Sequence, residues 1–151
     1  MTDAYYARSA FPSGGARYTI SSAAQLTSEA PAPSWISKIA QRLEELGNLP
    51  ENWDSYGAPS IDASVIQAAM DALDSVRDLE IPAPQVTPTA RGGIQFEWNL
   101  THFEAELEFV NIHRAEWWAC DPQSDAEEED ELSLIDLRAL RMKLRRLARG
   151  G

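Results

Sequence analysis

Two stretches of strict alternation constrain this chain more than anything else in it. Gly92-Gly93-Ile94-Gln95-Phe96-Glu97-Trp98 sets an apolar side chain at every second position. His102-Phe103-Glu104-Ala105-Glu106-Leu107-Glu108-Phe109 does the same after a short polar break. A period of two sends successive side chains to opposite faces, so the pair reads as an antiparallel hairpin with one buried face. Ile94, Phe96 and Trp98 point inward from the first strand, and Phe103, Ala105, Leu107 and Phe109 from the second. Glu97, Glu104, Glu106 and Glu108 then share the opposite face. A sheet of this kind needs a second layer over its apolar side.

The flanking segments supply that layer. Ser34 is placed to cap a first helix in which Ile36, Ile39, Leu43 and Leu46 share a face, and Gly47 occupies the position of a left-handed C-cap. After the connector Asn52-Trp53-Asp54-Ser55-Tyr56-Gly57-Ala58-Pro59, Ser60 can cap a second helix carrying Val65, Ile66, Ala69, Leu73 and Val76. Pro82 and Pro84 stop that helix near Glu80. Val86 belongs to a short edge strand limited by Pro88, residues 94–99 and 102–112 form the hairpin, and residues 114–119 continue the meander. The predicted fold class is α+β, with two N-terminal helices packed on a three- or four-stranded antiparallel β-meander, plus a C-terminal amphipathic helix. Residues 1–33, rich in Ala, Ser, Gly and Pro, bury too little to offset their ordering entropy and are predicted to be flexible. The α+β domain is predicted over residues 34–120.

A chain of 151 residues with 44% hydrophobic content suffices for one cored domain. Its net charge of −11 opposes binding to nucleic acid or an anionic membrane. Cys120 is the only cysteine, so no intramolecular disulfide forms, and with only His102 and His113 beside it a structural zinc site is excluded. No apolar run approaches the roughly 20 residues that cross a bilayer, and the first residues carry no signal-peptide pattern. A cytoplasmic location without membrane association is the expectation.

Residues that could carry chemistry are few. Gly92-Gly93 lacks the downstream Lys-Ser or Lys-Thr of a phosphate cradle and reads as a turn. Cys120 follows Trp117-Trp118-Ala119 at a strand end beside acids, and negative neighbours disfavour a reactive thiolate. Glu97, Glu104, Glu106 and Glu108, with Glu116 beyond them, could in principle face a hard cation, but carboxylates on a flat sheet diverge where such an ion needs them to converge. A solvated face that discourages edge aggregation accounts for them better. No catalytic residue, metal or cofactor is predicted.

The C-terminal third is segregated by charge. Asp121, Asp125, Glu127, Glu128, Glu129, Asp130 and Glu131 crowd residues 121–131, predicted to be a solvated acidic linker. Residues 132–151 follow as a basic amphipathic helix. Leu137, Leu140, Leu144 and Leu147 form its stripe, with Arg138, Arg141 and Arg145 among its cations. This helix could pack on its own domain, pair with another protein or with a copy of itself, or be screened by the acidic run until a partner displaces it.

The motifs Trp53-Asp54-Ser55-Tyr56-Gly57-Ala58-Pro59 and Gly92-Gly93-Ile94-Gln95-Phe96-Glu97-Trp98, joined by a helix and a proline-rich link, resemble a pattern in a family of small uncharacterised bacterial proteins, N-W-D-x-x-G-A-x-P followed by G-G-[IV]-x-x-E-W. The resemblance spans about residues 34–119 and implies a bacterial or phage origin but no activity. It also implies that the two motifs form a joint surface, with Asn52, Trp53, Asp54, Tyr56, Glu97 and Trp98 lining a groove for a ligand or partner. The function predicted from these features is a non-catalytic protein-interaction or regulatory accessory module, its partner held through the C-terminal helix. The alternatives are a small enzyme or ligand-binding protein with a site between the Trp53 loop and the Glu97 strand, and a nucleic-acid-linked regulator acting through the last helix.

Overall fold

The hairpin forms in the register that its alternation requires. In the computed structural model, which describes residues 34–148, Phe96 stands opposite Leu107, Trp98 opposite Ala105 and Ile94 opposite Phe109. The segment predicted to be flexible, residues 1–33, lies outside the described residues. The elements in chain order are α1 (Ser34–Gly47), α2 (Ala63–Ser75), β1 (Gln85–Pro88), β2 (Ile94–Leu100), β3 (Phe103–Phe109), β4 (Arg114–Asp121), β5 (Ala126–Ser133) and α3 (Arg138–Ala148). The fold is α+β, as predicted, but the antiparallel meander has five strands, ordered β1-β2-β3-β4-β5.

One face of the sheet is dry. Ile94, Phe96, Trp98, Phe103, Ala105, Leu107, Phe109, Ala115, Trp117 and Ala119 are all buried there. Phe96 meets Phe109 edge to face at 5.0 Å between centroids, an arrangement aromatic quadrupoles favour. Leu43 and Leu46 of α1, Val65, Ala69, Ala72 and Leu73 of α2, and Leu140, Leu144 and Leu147 of α3 complete the core. Burying each of the larger side chains stabilises the fold by about 1.5–3 kcal/mol, so this layer holds the domain together.

Four local readings are corrected. The second helix is capped by Asp62, whose carboxylate accepts the Ser64 N–H at 3.0 Å, two residues beyond Ser60, because Ile61 is buried and fixes where the helix starts. Gly47 closes α1 outside the left-handed region. The last turn tightens through Asn48 N–H to the Glu45 carbonyl and Leu49 N–H to the Leu46 carbonyl, and the Asn48 side chain donates to the Glu44 carbonyl, so no left-handed cap is needed. His102 belongs with Thr101 to the tight turn between β2 and β3, and β3 ends at Phe109.

The fourth concerns the acidic run. It is not a linker: residues 126–131 belong to β5, hydrogen-bonded along β4 with Glu128 opposite Ala119 and Leu132 opposite Ala115. Here too the period is two. Leu132 is buried, and Glu128 and Asp130 point to the same inner side, where α3 brings Lys143 and Arg146 against them. Cations supplied from the following helix offset the repulsion that would otherwise keep this segment solvated.

Candidate functional site

The opposite face of the sheet carries rows of polar residues set by strand register. One row runs Gln85, Glu97, Glu106, Trp118, Glu129, and its neighbour runs Thr87, Gln95, Glu108, Glu116, Glu131. A third places Glu104 beside Cys120 and Cys120 beside Glu127. Glu97, Glu104, Glu106, Glu108, Glu116, Glu127, Glu129 and Glu131 therefore share one surface with a single tryptophan in its midst. Gln95, Glu106, Glu108, Glu116, Trp118 and Glu129 line a shallow open depression of about 580 Å³.

Two arginines neutralise one margin of this face. The turn after β1 closes by Gly92 N–H to the Thr89 carbonyl and Gly93 N–H to the Thr89 hydroxyl. Gly92 takes φ +85°, and a Cβ on Gly93 would lie 2.7 Å from the Phe109 carbonyl oxygen, so both positions require glycine. That turn projects Arg91 across the sheet, where its guanidinium donates to both Glu108 oxygens at 2.9 and 2.8 Å and to Glu116 at 2.5 Å. Burial pushes the Glu108 carboxyl up, yet the bonds from Arg91 and Thr89 outweigh it and hold the carboxyl below its ordinary value. Arg114 reaches Glu131 at 3.1 Å.

Among the described residues the centre has no such relief. Glu106 stands directly opposite Glu97, whose nearest donor is the Gln95 amide at 2.7 Å. Partial burial, then the charges of Glu97, Glu108 and Glu104, push the Glu106 carboxyl above its ordinary value. The Trp118 indole N–H donates to Glu127 at 3.3 Å, leaving its ring on the acidic surface. Among the described residues no group of three or more His, Cys, Asp or Glu is arranged to hold a metal ion, and the carboxylates diverge as a flat face dictates.

Beneath β5 the electrostatics are closed. Glu128 accepts from Lys143 at 2.6 Å, Arg146 at 2.7 Å and the Trp117 indole at 3.0 Å. Burial pushes its carboxyl up, but those three donors pull it down to about 2. Arg146 also lies 4.8 Å over the Phe103 ring.

The predicted site residues separate on this scaffold. Glu97 and Trp98 are neighbours in a strand and point to opposite faces: Glu97 joins the acidic surface, while Trp98 is buried and donates to the Pro82 carbonyl at 2.9 Å. No groove can therefore be lined by both, and the joint surface is not formed. Asn52, Trp53, Asp54 and Tyr56 build a self-contained loop instead. Asp54 accepts the Tyr56 and Ala58 N–H groups, Asn52 accepts that of Gly57, and the Trp53 indole donates to the Pro59 carbonyl at 3.1 Å. Those backbone bonds hold the Asp54 carboxyl below its ordinary value, and they leave the Tyr56 ring 92% exposed.

The C-terminal helix spends its stripe on the core of its own domain. Leu140, Leu144 and Leu147 are buried and Leu137 is partly so. Arg141 donates to Asp78 at 2.9 Å and to the Ser75 carbonyl, tying α3 to the end of α2. Arg138 pairs with Asp136 at 2.6 Å, and Arg145 is exposed. Trp118, Arg91, Glu127, Glu129 and Glu131 went unnoticed as site residues; the basic helix directly after the acidic run was the available signal that this run folds against something. No helix among the described residues is long and apolar enough to cross a membrane. Comparison with protein-family models, curated proteins and solved structures yields no match, so no residue role is carried to this chain from elsewhere.

Proposed function

We propose that this protein is a non-catalytic interaction module that captures a cationic segment of a partner protein on the outer face of its sheet. The observation that carries this reading is the unrelieved centre of that face: Glu106 and Glu129 flank Trp118 in register, Glu97 stands beyond Glu106 and Glu104 one row over, and partial burial and these like charges work against ionised Glu106. Lysine or arginine side chains laid across it would remove the repulsion and stack on the indole. A face serving solubility alone gains nothing from concentrating like charges in cross-strand pairs, where each pair costs about 0.2–1 kcal/mol. The C-terminal helix then acts as a structural element that neutralises the inner acids and leaves the outer ones free.

The test uses the full chain and a ten-residue oligolysine probe, titrated calorimetrically at about 0.15 M salt. Replacing Glu104, Glu106 and Glu129 by glutamine is expected to weaken binding at least about tenfold. A matched triple, Glu44→Gln, Glu45→Gln and Glu51→Gln, removes the same charge from the helical side and is expected to change affinity less than about threefold. Equal losses from the two triples would reduce the attraction to net charge and overturn the reading.

A further inference from the structure

The two edges of the sheet are treated differently. β1 has four residues, contains Pro88 with no N–H to offer, and has its Val86 carbonyl capped by the Arg42 guanidinium at 3.3 Å. That edge is closed. β5 is eight residues long and contains no proline. Only Leu132 along it is buried and only Glu128 half-buried, and among the described residues nothing bonds to its free backbone edge. In an edge strand every second residue turns both N–H and C=O outward, a ready template for another strand.

Charge decides which strand fits. A second copy of β5 would bring Glu127, Glu129 and Glu131 against their own counterparts on the outer face, which like-charge pairing opposes. The inner face under β5 is already neutralised, since Lys143 and Arg146 occupy Glu128 and Lys143 reaches Asp130 at 3.2 Å. On the outer face, among the described residues, Glu127 is bonded only by the Trp118 indole, Glu131 is the one β5 acid that Arg114 reaches, and Glu129 stands beside Trp118. An added strand therefore meets uncompensated negative charge on one of its two faces.

We infer that β5 is a strand-addition site for an extended segment of a partner protein whose lysines or arginines recur at every second position, with small uncharged residues between them. The segment pairs with the free backbone edge of β5, its cations lie on the outer face beside Glu127 and Glu129, and its uncharged side chains face the neutralised side above α3. Backbone hydrogen bonds supply the affinity and the alternating charge the specificity. This inference rests on the reading of the outer face as a cation-binding surface and names how the partner is held.

The experiment is a calorimetric titration of the full chain with an eight-residue peptide alternating lysine and threonine. The same peptide N-methylated at every second residue, made in both phases, serves as the comparison. N-methylation keeps every charge and removes the pairing N–H groups. The unmodified peptide is expected to bind at least about tenfold more tightly than one methylated phase and to slow exchange of alternate β5 amides. Equal affinity for all three peptides, or amide protection confined to other strands, would overturn strand addition while leaving the charged face as the binding surface. No binding by any of them would overturn both readings. A concentration-dependent dimer with protection in β5 would show that a copy of the chain, not a cationic partner, takes the edge.

Discussion

Trp117 and Trp118 are consecutive, chemically identical, and belong to two different regions of the molecule. Trp117 is 2% exposed, packs beside Phe103 and gives its indole N–H to Glu128, a carboxylate held by two cations. Trp118 lies on the other face and gives its indole N–H to Glu127, a carboxylate with no such cations among the described residues. The same residue and the same kind of partner thus serve folding on one side of the sheet and stand partly exposed on the other. The difference comes from what lies above each face. α3 covers the inner one and turns its acids into anchors, while among the described residues nothing covers the outer one.

Substitutions on the two faces should therefore separate. Trp117→Ala empties the core beneath β4 and is expected to cost about 3–5 kcal/mol in denaturant unfolding. Trp118→Ala is expected to cost at most about 1 kcal/mol, a cross-strand contact on a wet face, while weakening oligolysine binding. Equal destabilisation by the two would erase the distinction between the faces.

Glu128 offers the next largest effect and a pH signature. Its carboxyl falls from an ordinary value of 4.5 to about 2 on folding. A depressed carboxylate contributes stability that is present in full above about pH 4.5 and is lost as pH falls through about 2. At full strength the shift corresponds to about 3 kcal/mol, but the side chain is 33% exposed, and screening brings the contribution to about 1–2 kcal/mol. Glu128→Gln is expected to lose that amount at pH 7 and to flatten the acid limb of the stability curve. An unchanged acid limb would show that α3 is held by its leucines alone.

Glu106 should move the other way, and least. Its raised pKa means that ionisation costs folding free energy once pH rises through the ordinary carboxylate range, and nothing below it. Glu106→Gln is expected to raise stability at pH 7 by about 0.2–1 kcal/mol, with no gain at low pH where the carboxyl is protonated in both states. A loss of stability at pH 7 would mean that the outer face is a structural surface, not a strained one.

The alternation at residues 94–109 made β2 and β3 legible down to which side chains are buried, because apolar and polar residues marked the two faces. β5 was illegible by the same rule. Both of its faces carry acids, so hydrophobicity distinguished only Leu132, and the run read as solvated charge. Glu97 and Trp98 could not share a groove with the Trp53 loop, since adjacent residues in a strand diverge. Asp62 displaced Ser60 as helix cap because burial of Ile61, a tertiary fact, fixed the start of α2.

Local pattern alone thus determined the elements whose side chains report their own environment: the amphipathic helices, the central hairpin, and the glutamates that line its outer side. Only the tertiary structure decided the fate of groups whose energy depends on a distant partner. Glu128 and Asp130 became inner anchors because Lys143 and Arg146 arrive from α3, and Glu127 and Glu129 stayed exposed because no helix among the described residues faces them. A charge is stable or strained according to what stands within a few ångströms of it, and a one-dimensional pattern does not record which residues the fold will bring that close.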